Sequence, residues 1–280
     1  MHKSYKIVLV LLLAVLAFRC SPSSSSGSGS GAVTCPTTNQ AYAIDGNNNL
    51  LCFGLTTPTT VVTTAVTGLA GGENIVGIDF RPADGKLYAL SSVGQLYTLD
   101  TSSGAVTAVG TPLTFAGATT FGFDVNPFVD RIRVMTNNGI NVRINPTTGA
   151  LTTDTTLSYA VADAHNGATP DVEATAYSNN VAGVSSTVLY AIDSTLDILT
   201  ISNPPNNGTL NTVGALGVNT DVNTSFDIKT TAGTDYGYAV LTPAASTVSS
   251  LYTINLTTGA ATLVHSITSG SAIHAFAVAL

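Results

Sequence analysis

One passage of this chain is written four times over. Residues 77–110, GIDFRPADGKLYALSSVGQLYTLDTSSGAVTAVG, divide into four short segments: GIDF, KLYAL, QLYTLD and AVTAVG. Polar and apolar residues alternate within each, the period of a half-buried β-strand. Between them stand Pro82-Ala83-Asp84-Gly85, Val93-Gly94 and Ser103-Gly104, turn chemistry that brings the chain back beside itself. A second copy covers residues 122–153, where GFDVNP answers GIDFRP and DRIRVMT answers GKLYALS. A more divergent third copy begins at Ala174 and a fourth at Ser225, so copies start 45 to 52 residues apart. That is the spacing of four-stranded propeller blades.

The two ends complete the count. Before the first full copy there are only three strand-like segments, QAYAID, LLCFGL and TTVVTTAVTGL, matching strands two to four of a copy. After the last there is one, HAFAVAL from His274, matching strand one. The expected fold is therefore all-β: a five-bladed β-propeller of four-stranded blades, closed when the C-terminal strand joins the N-terminal blade. Closure removes exposed sheet edges. A β-sandwich or an open stack of β-repeats is the competing architecture, and it gives the complementary leftovers no role.

The start of the chain reads as an address. Lys3 and Lys6 precede an apolar run from Ile7 to Phe18, followed by Arg19 and Cys20. This is the form of an export signal, too short to span a bilayer. Cys20 stands where a bacterial lipoprotein would be acylated, although Phe18 and Arg19 replace the small residues usual before such a cysteine. Plain secretion is the alternative. Residues 1–20 are thus a leader, 21–34 a Ser/Gly-rich tether, and 35–280 the propeller domain. The expected location is the cell envelope, as an outer-membrane, periplasm-facing or cell-surface lipoprotein, or outside the cell. With Cys20 lipidated, Cys35 and Cys52 form an even pair in an oxidising compartment, so a disulfide is expected.

Composition excludes some partners. Without Lys3, Lys6 and Arg19, six basic side chains face 16 acidic ones, a net charge of −10. Nucleic-acid binding is disfavoured, since it rests on lysine and arginine neutralising phosphate. The membrane is reached only through an N-terminal lipid anchor, and a monomer is expected.

Candidate sites come from aligning the copies. Asp79, Asp124 and Asp227 share one position on the inner strands, with Ala176 and Ala277 in the other two blades. Either these carboxylates meet at the central channel, where calcium or another divalent cation would be the only cofactor, or each accepts hydrogen bonds between blades. Converging carboxylates without a cation would raise one another's pKa. Arg131, Arg133 and Arg143 lie in one blade. They could bind a carboxylate or sulfate, or pair with Asp124, Asp130 or Asp84. His165 sits in the connection VADAHNGATPDVE beside Asp163, Asp171 and Glu173, a metal or acid–base grouping or a solvated loop. Asp45-Gly-Asn-Asn-Asn49 lacks the later ligands of a calcium loop and reads as a hairpin turn.

At GIDFRPADGKLYAL, LYTLDTSSGAVTAVG, FGFDVNPFVDRIRV, NPTTGAL, LYAIDSTLDILTISNPPNNGTLNTVGALG and LYTINLTTGAATLV the chain resembles the bacterial secreted family known as domain of unknown function 4394. The resemblance runs from about Thr38 to the C-terminus. It implies a propeller-like fold and an envelope address, and it implies no mechanism.

No nucleophile elbow, zinc-protease motif, phosphate loop or dinucleotide turn is present in the sequence. The function expected is a binding or scaffold module that presents loops on one propeller face. The alternative is a hydrolase or lyase at the channel, using Asp79, Asp124, Asp227 and Arg143.

Overall fold

The computed structural model describes residues 34–244 and 246–280. The leader, Cys20 and most of the tether lie outside the described residues. Five four-stranded antiparallel units form a ring. Blade 1 contributes β1 (Gln40–Asp45), β2 (Asn49–Gly54) and β3 (Val62–Ala65). Blade 2 holds β4 (Ile75–Phe80), β5 (Leu87–Ser91), β6 (Leu96–Leu99) and β7 (Val106–Val109). Blade 3 holds β8 (Phe121–Asn126), β9 (Arg131–Thr136), β10 (Asn141–Ile144) and β11 (Leu151–Thr153). After the short β12 (Ser158–Tyr159), blade 4 holds β13 (Val172–Tyr177), β14 (Leu189–Asp193), β15 (Ile198–Ser202) and β16 (Thr209–Ala215). Blade 5 holds β17 (Thr220–Thr231), β18 (Thr234–Pro243), β19 (Ser250–Ile254) and β20 (Ala261–Ser266).

The last strand, β21 (Ile273–Val278), is the innermost strand of blade 1. It pairs antiparallel with β1, Tyr42 opposite Ala277 and Ala43 opposite Phe276. The inner strands β4, β8, β13, β17 and β21 each touch the next around the axis, and β21 touches β4 to complete the circle. The five-bladed reading and its split closure are what the chain adopts.

Why the strands look as they do follows from how blades stack. Five apolar clusters fill the five junctions, one between each pair of neighbouring blades. The inner strands of a blade are therefore covered on both faces: Leu87–Ser91 is buried at every position. The outermost strands are the ones that reach solvent, as Val62–Ala65 does, half-buried and exposed in turn. Small residues on inner strands let backbones approach. A Cβ on Gly122 would lie 2.7 Å from Thr175 Cγ2 and 3.0 Å from the Ala174 carbonyl carbon, both on the next blade.

Two local devices hold the ring. In the outer hairpins, Asp100, Asn145 and Asn255 each accept N–H bonds from the residues two and three further on, an Asx turn. Cys35 and Cys52 form a disulfide with Cα atoms 5.7 Å apart, tying the incoming segment to β2. One element departs from the sequence reading. Ser158–Tyr159 adds a fifth strand to blade 4, parallel to β16, in a stretch that reads as connection because two residues carry no periodicity.

Candidate functional site

Two constellations stand out, one in blade 3 and one on the axis. The first arises where the repeat breaks its own rule. On the strand next to the inner one, four blades place a tyrosine opposite the Asp/Ala position: Tyr42, Tyr88, Tyr190 and Tyr238. Blade 3 places Arg133 there, opposite Asp124. Arg143 follows on the next strand, directly across from Arg133. Cross-strand partners share a face, so two guanidinium groups lie side by side.

Arg133 is only 2% exposed and fully engaged. It donates to Asp154 Oδ2 (2.6 Å), Asn141 Oδ1 (2.7 Å), Asn206 Oδ1 (2.7 Å) and Tyr177 Oη (3.3 Å). Arg143 grips the same carboxylate bidentately, 2.8 Å to each oxygen. Burial alone would raise the Asp154 pKa, but the bonds from Arg143 and Arg133 outweigh it and hold the carboxyl below its ordinary value. Arg131 lies alongside, donating to the Asp130 carbonyl at 2.7 Å.

All three arginines line one cleft of about 320 Å³, walled by Phe128, Val129, Tyr177, Pro204 and Pro205. Phe128 and Val129 are 54% and 46% exposed, large apolar surface beside positive charge. Asp154 offsets one of three cations. Asp130 and Asp84 make their direct contacts with Arg81 in blade 2, and Asp130 feels the charge of Arg131 without touching its guanidinium. Asp124 does not neutralise Arg133 either: burial first, then Asp79 and Asp227, push its pKa well above the ordinary range. The cleft keeps an excess of positive charge.

The second constellation is the aspartate trio. Asp79, Asp124 and Asp227 are each 1% exposed and each offers an oxygen within 4.8 Å of the others. Two ligands on opposite sides of a cation bound at about 2.4 Å stand that far apart, so the spacing fits a hard divalent ion. The same side chains staple neighbouring blades. Asp79 Oδ2 accepts the Val125 N–H (2.7 Å), Asp124 Oδ1 that of Tyr177 (3.0 Å), and Asp227 Oδ2 that of Val278 (2.6 Å). The channel and inter-blade alternatives are thus one arrangement. Burial raises all three pKa values, and mutual repulsion adds to it for Asp79 and Asp124. Asp227 is pushed up to about 7 by burial, tempered by N–H bonds from Val278 and Ile228 and by Lys229.

Of the loop grouping around His165, only Asp163 comes to the imidazole, its Oδ1 3.5 Å from His165 Nδ1 and accepting the His165 backbone N–H at 2.8 Å. His165 Nδ1 meets Thr212 Oγ1 (3.0 Å), and Asp163 accepts bonds from Thr212. Asp171 accepts from Thr195 instead, while Glu173 stands on β13 at the channel mouth. His165 is also absent from the arginine cleft. Asp45 closes the β1–β2 hairpin, its carboxylate accepting from Asn47 and Asn49. Sequence reasoning missed Asp154 and Asn206, whose roles come from loops, and the Tyr-to-Arg replacement that would have marked blade 3. Glu173 figures in the sequence only as part of the His165 grouping, and His274 only as the start of the closing strand. These share the inner-strand position three residues before the Asp/Ala one, with Val76, Phe121 and Thr224 in the other blades.

Comparisons with known proteins give one family and several distant structural likenesses. The family described as "Domain of unknown function (DUF4394)" matches residues 49–277. No curated protein sequence matches. Among solved structures, a protein from Lactobacillus plantarum is 15% identical, with 87% of this chain and 72% of that one covered at a TM-score of 0.42. Myxococcus xanthus glutaminyl cyclase is 12% identical over 72% of this chain and 89% of its own, also at 0.42. Kuenenia stuttgartiensis hydrazine synthase is 12% identical over 72% and 51%, at 0.40. At these scores the likeness carries no argument about activity.

Proposed function

The chain belongs to the DUF4394 family, and from its geometry we propose that it is a non-catalytic binding module for a ligand with an anionic head and an apolar body. The observation that carries this is the single cleft shared by Arg131, Arg133 and Arg143. Arg133, locked by four acceptors, sets the floor. Arg143, with 30% of its side chain exposed, and Arg131 present the guanidinium edges that a carboxylate or sulfate matches bidentately. Phe128, Val129 and the two prolines take the apolar remainder. Among the described residues that line this cleft there is no histidine, serine or cysteine, which favours recognition over turnover. The address read from the sequence completes the proposal: the domain is exported and monomeric, tethered through residues 21–34 to a lipidated Cys20 or released.

A second reading places a divalent cation, and with it hydrolase or lyase chemistry, at Asp79, Asp124 and Asp227. The oxygen spacing supports the ion; burial of all three carboxylates weighs against substrate reaching it.

Phenylacetate and its neutral amide, phenylacetamide, test the cleft. The acid is expected to raise the melting temperature saturably and the amide not to. Arg143→Ala and Arg131→Ala should abolish the effect while the unliganded protein still melts cooperatively. An equal response to the amide, or an Arg143→Ala protein that binds as before, refutes the proposal.

A further inference from the structure

The axis carries another polar cavity, at the end of the inner strands where they begin. Val76, Phe121, Glu173, Asn223, Thr224 and His274 line a mouth of about 330 Å³. Beneath it the channel narrows to a throat of about 10 Å³, room for one water. The throat shares Val76, Phe121, Glu173 and His274 with the mouth and adds Thr175 and Ser225. The aspartate trio lies three residues further along the strands, roughly 10 Å away.

The chemistry of the lining is one-sided. Glu173 is a carboxylate 3% exposed, and among the described residues no lysine or arginine lines either mouth or throat. His274 Nε2 lies 2.8 Å from the Ile75 carbonyl oxygen, so that nitrogen carries the proton and donates. Burial lowers the imidazole pKa, which leaves Nδ1 as a lone-pair acceptor on a neutral ring. Three hydroxyls have no hydrogen-bond partner: Thr120 Oγ1 at the mouth, Thr175 Oγ1 and Ser225 Oγ in the throat. Thr175 is 1% and Ser225 6% exposed. Buried hydroxyls are costly without a partner, and two of them in one constriction indicate a group that supplies the bond. Apolar surface completes the mouth. Phe121 is held edge-on by Phe115, ring centroids 5.6 Å apart.

We propose that the channel mouth binds a small organic cation, a primary ammonium on a short apolar stem. The ammonium has three N–H donors and no acceptor, the complement of a carboxylate, an imidazole nitrogen and hydroxyl oxygens. Its stem packs on Val76 and Phe121, whose ring face also attracts the charge.

The probe is n-butylammonium chloride, titrated into the full chain against matched sodium chloride, with n-butanol as the neutral isostere. The expected result is a saturable rise in melting temperature with the ammonium and none with butanol. Glu173→Gln should weaken binding at least tenfold. Thr175→Val, which keeps side-chain shape, should weaken it at least threefold without lowering the unliganded melting temperature. This second variant keeps the test decisive should Glu173→Gln not fold. An equal response to butanol, or unchanged affinity in Thr175→Val, overturns the proposal.

Discussion

Replacing Asp227 by Asn separates the aspartate trio's electrostatics from everything else in the ring. Asp227 is fully buried and its pKa stands at about 7 against an ordinary 3.8. A carboxyl whose folded pKa is raised stabilises the fold fully below the unfolded value and loses that contribution as pH climbs through the folded one. Between pH 5 and 6.5 the folded protein holds this proton and the unfolded chain does not. Stability therefore falls by about 1.4 kcal/mol per pH unit, or about 2 kcal/mol across the window. His274 acts oppositely, since its lowered pKa favours folding as pH rises. Its contribution is common to parent and variant and cancels in the difference. Asn keeps one acceptor for the Val278 and Ile228 amides, at a cost that does not vary with pH. Urea denaturation at pH 5 and 6.5 on both proteins gives the double difference. The expected change is about 2 kcal/mol in favour of the variant as pH rises. A difference that is flat or reversed would mean that Asp227 titrates normally, and the account of a crowded, dehydrated trio would fall.

Other expectations follow from the same coordinates. Deleting residues 273–280 removes the inner strand of blade 1 and the Val278 N–H that Asp227 accepts, so circular dichroism should show loss of cooperative melting; an unchanged melting temperature would refute closure. Arg133→Met leaves Asp154 buried with Arg143 alone, a loss of about 3 kcal/mol, read as a fall of roughly 6–12 °C in melting temperature. Gly122→Ala forces a methyl against Thr175 and Ala174 and should cost about 1–3 kcal/mol by overpacking, measured by urea titration. Millimolar calcium should raise the parent's melting temperature, reversibly with chelator, and leave Asp124→Asn unmoved if the trio holds the ion.

What was legible in the sequence, and what was not, divides along range of interaction. The blades were legible because alternation and turn residues are local, as in KLYAL and the Asp100–Gly104 turn. Closure was legible because HAFAVAL supplied the strand that the N-terminal segment lacked. The Asp79, Asp124 and Asp227 position emerged from aligning copies, since equivalent inner-strand residues hold equivalent places around the ring, at the channel or between blades. The partners of the arginines were hidden because Asp154 and Asn206 approach from loops whose course no periodicity sets. The mouth was hidden for a different reason. Glu173 and His274 differ in type from their counterparts Val76, Phe121 and Thr224, so no repeated letter marks the position. In the sequence Glu173 stands with the loop residues around His165, and His274 only opens the closing strand.

Amide chemical-shift mapping with phenylacetate tests the central claim, that the broken repeat of blade 3 is a recognition site. The account predicts saturable perturbations confined to residues around Phe128–Arg133, Arg143, Tyr177 and Asn206. Perturbations centred on the channel mouth, or none at saturating phenylacetate, would contradict it.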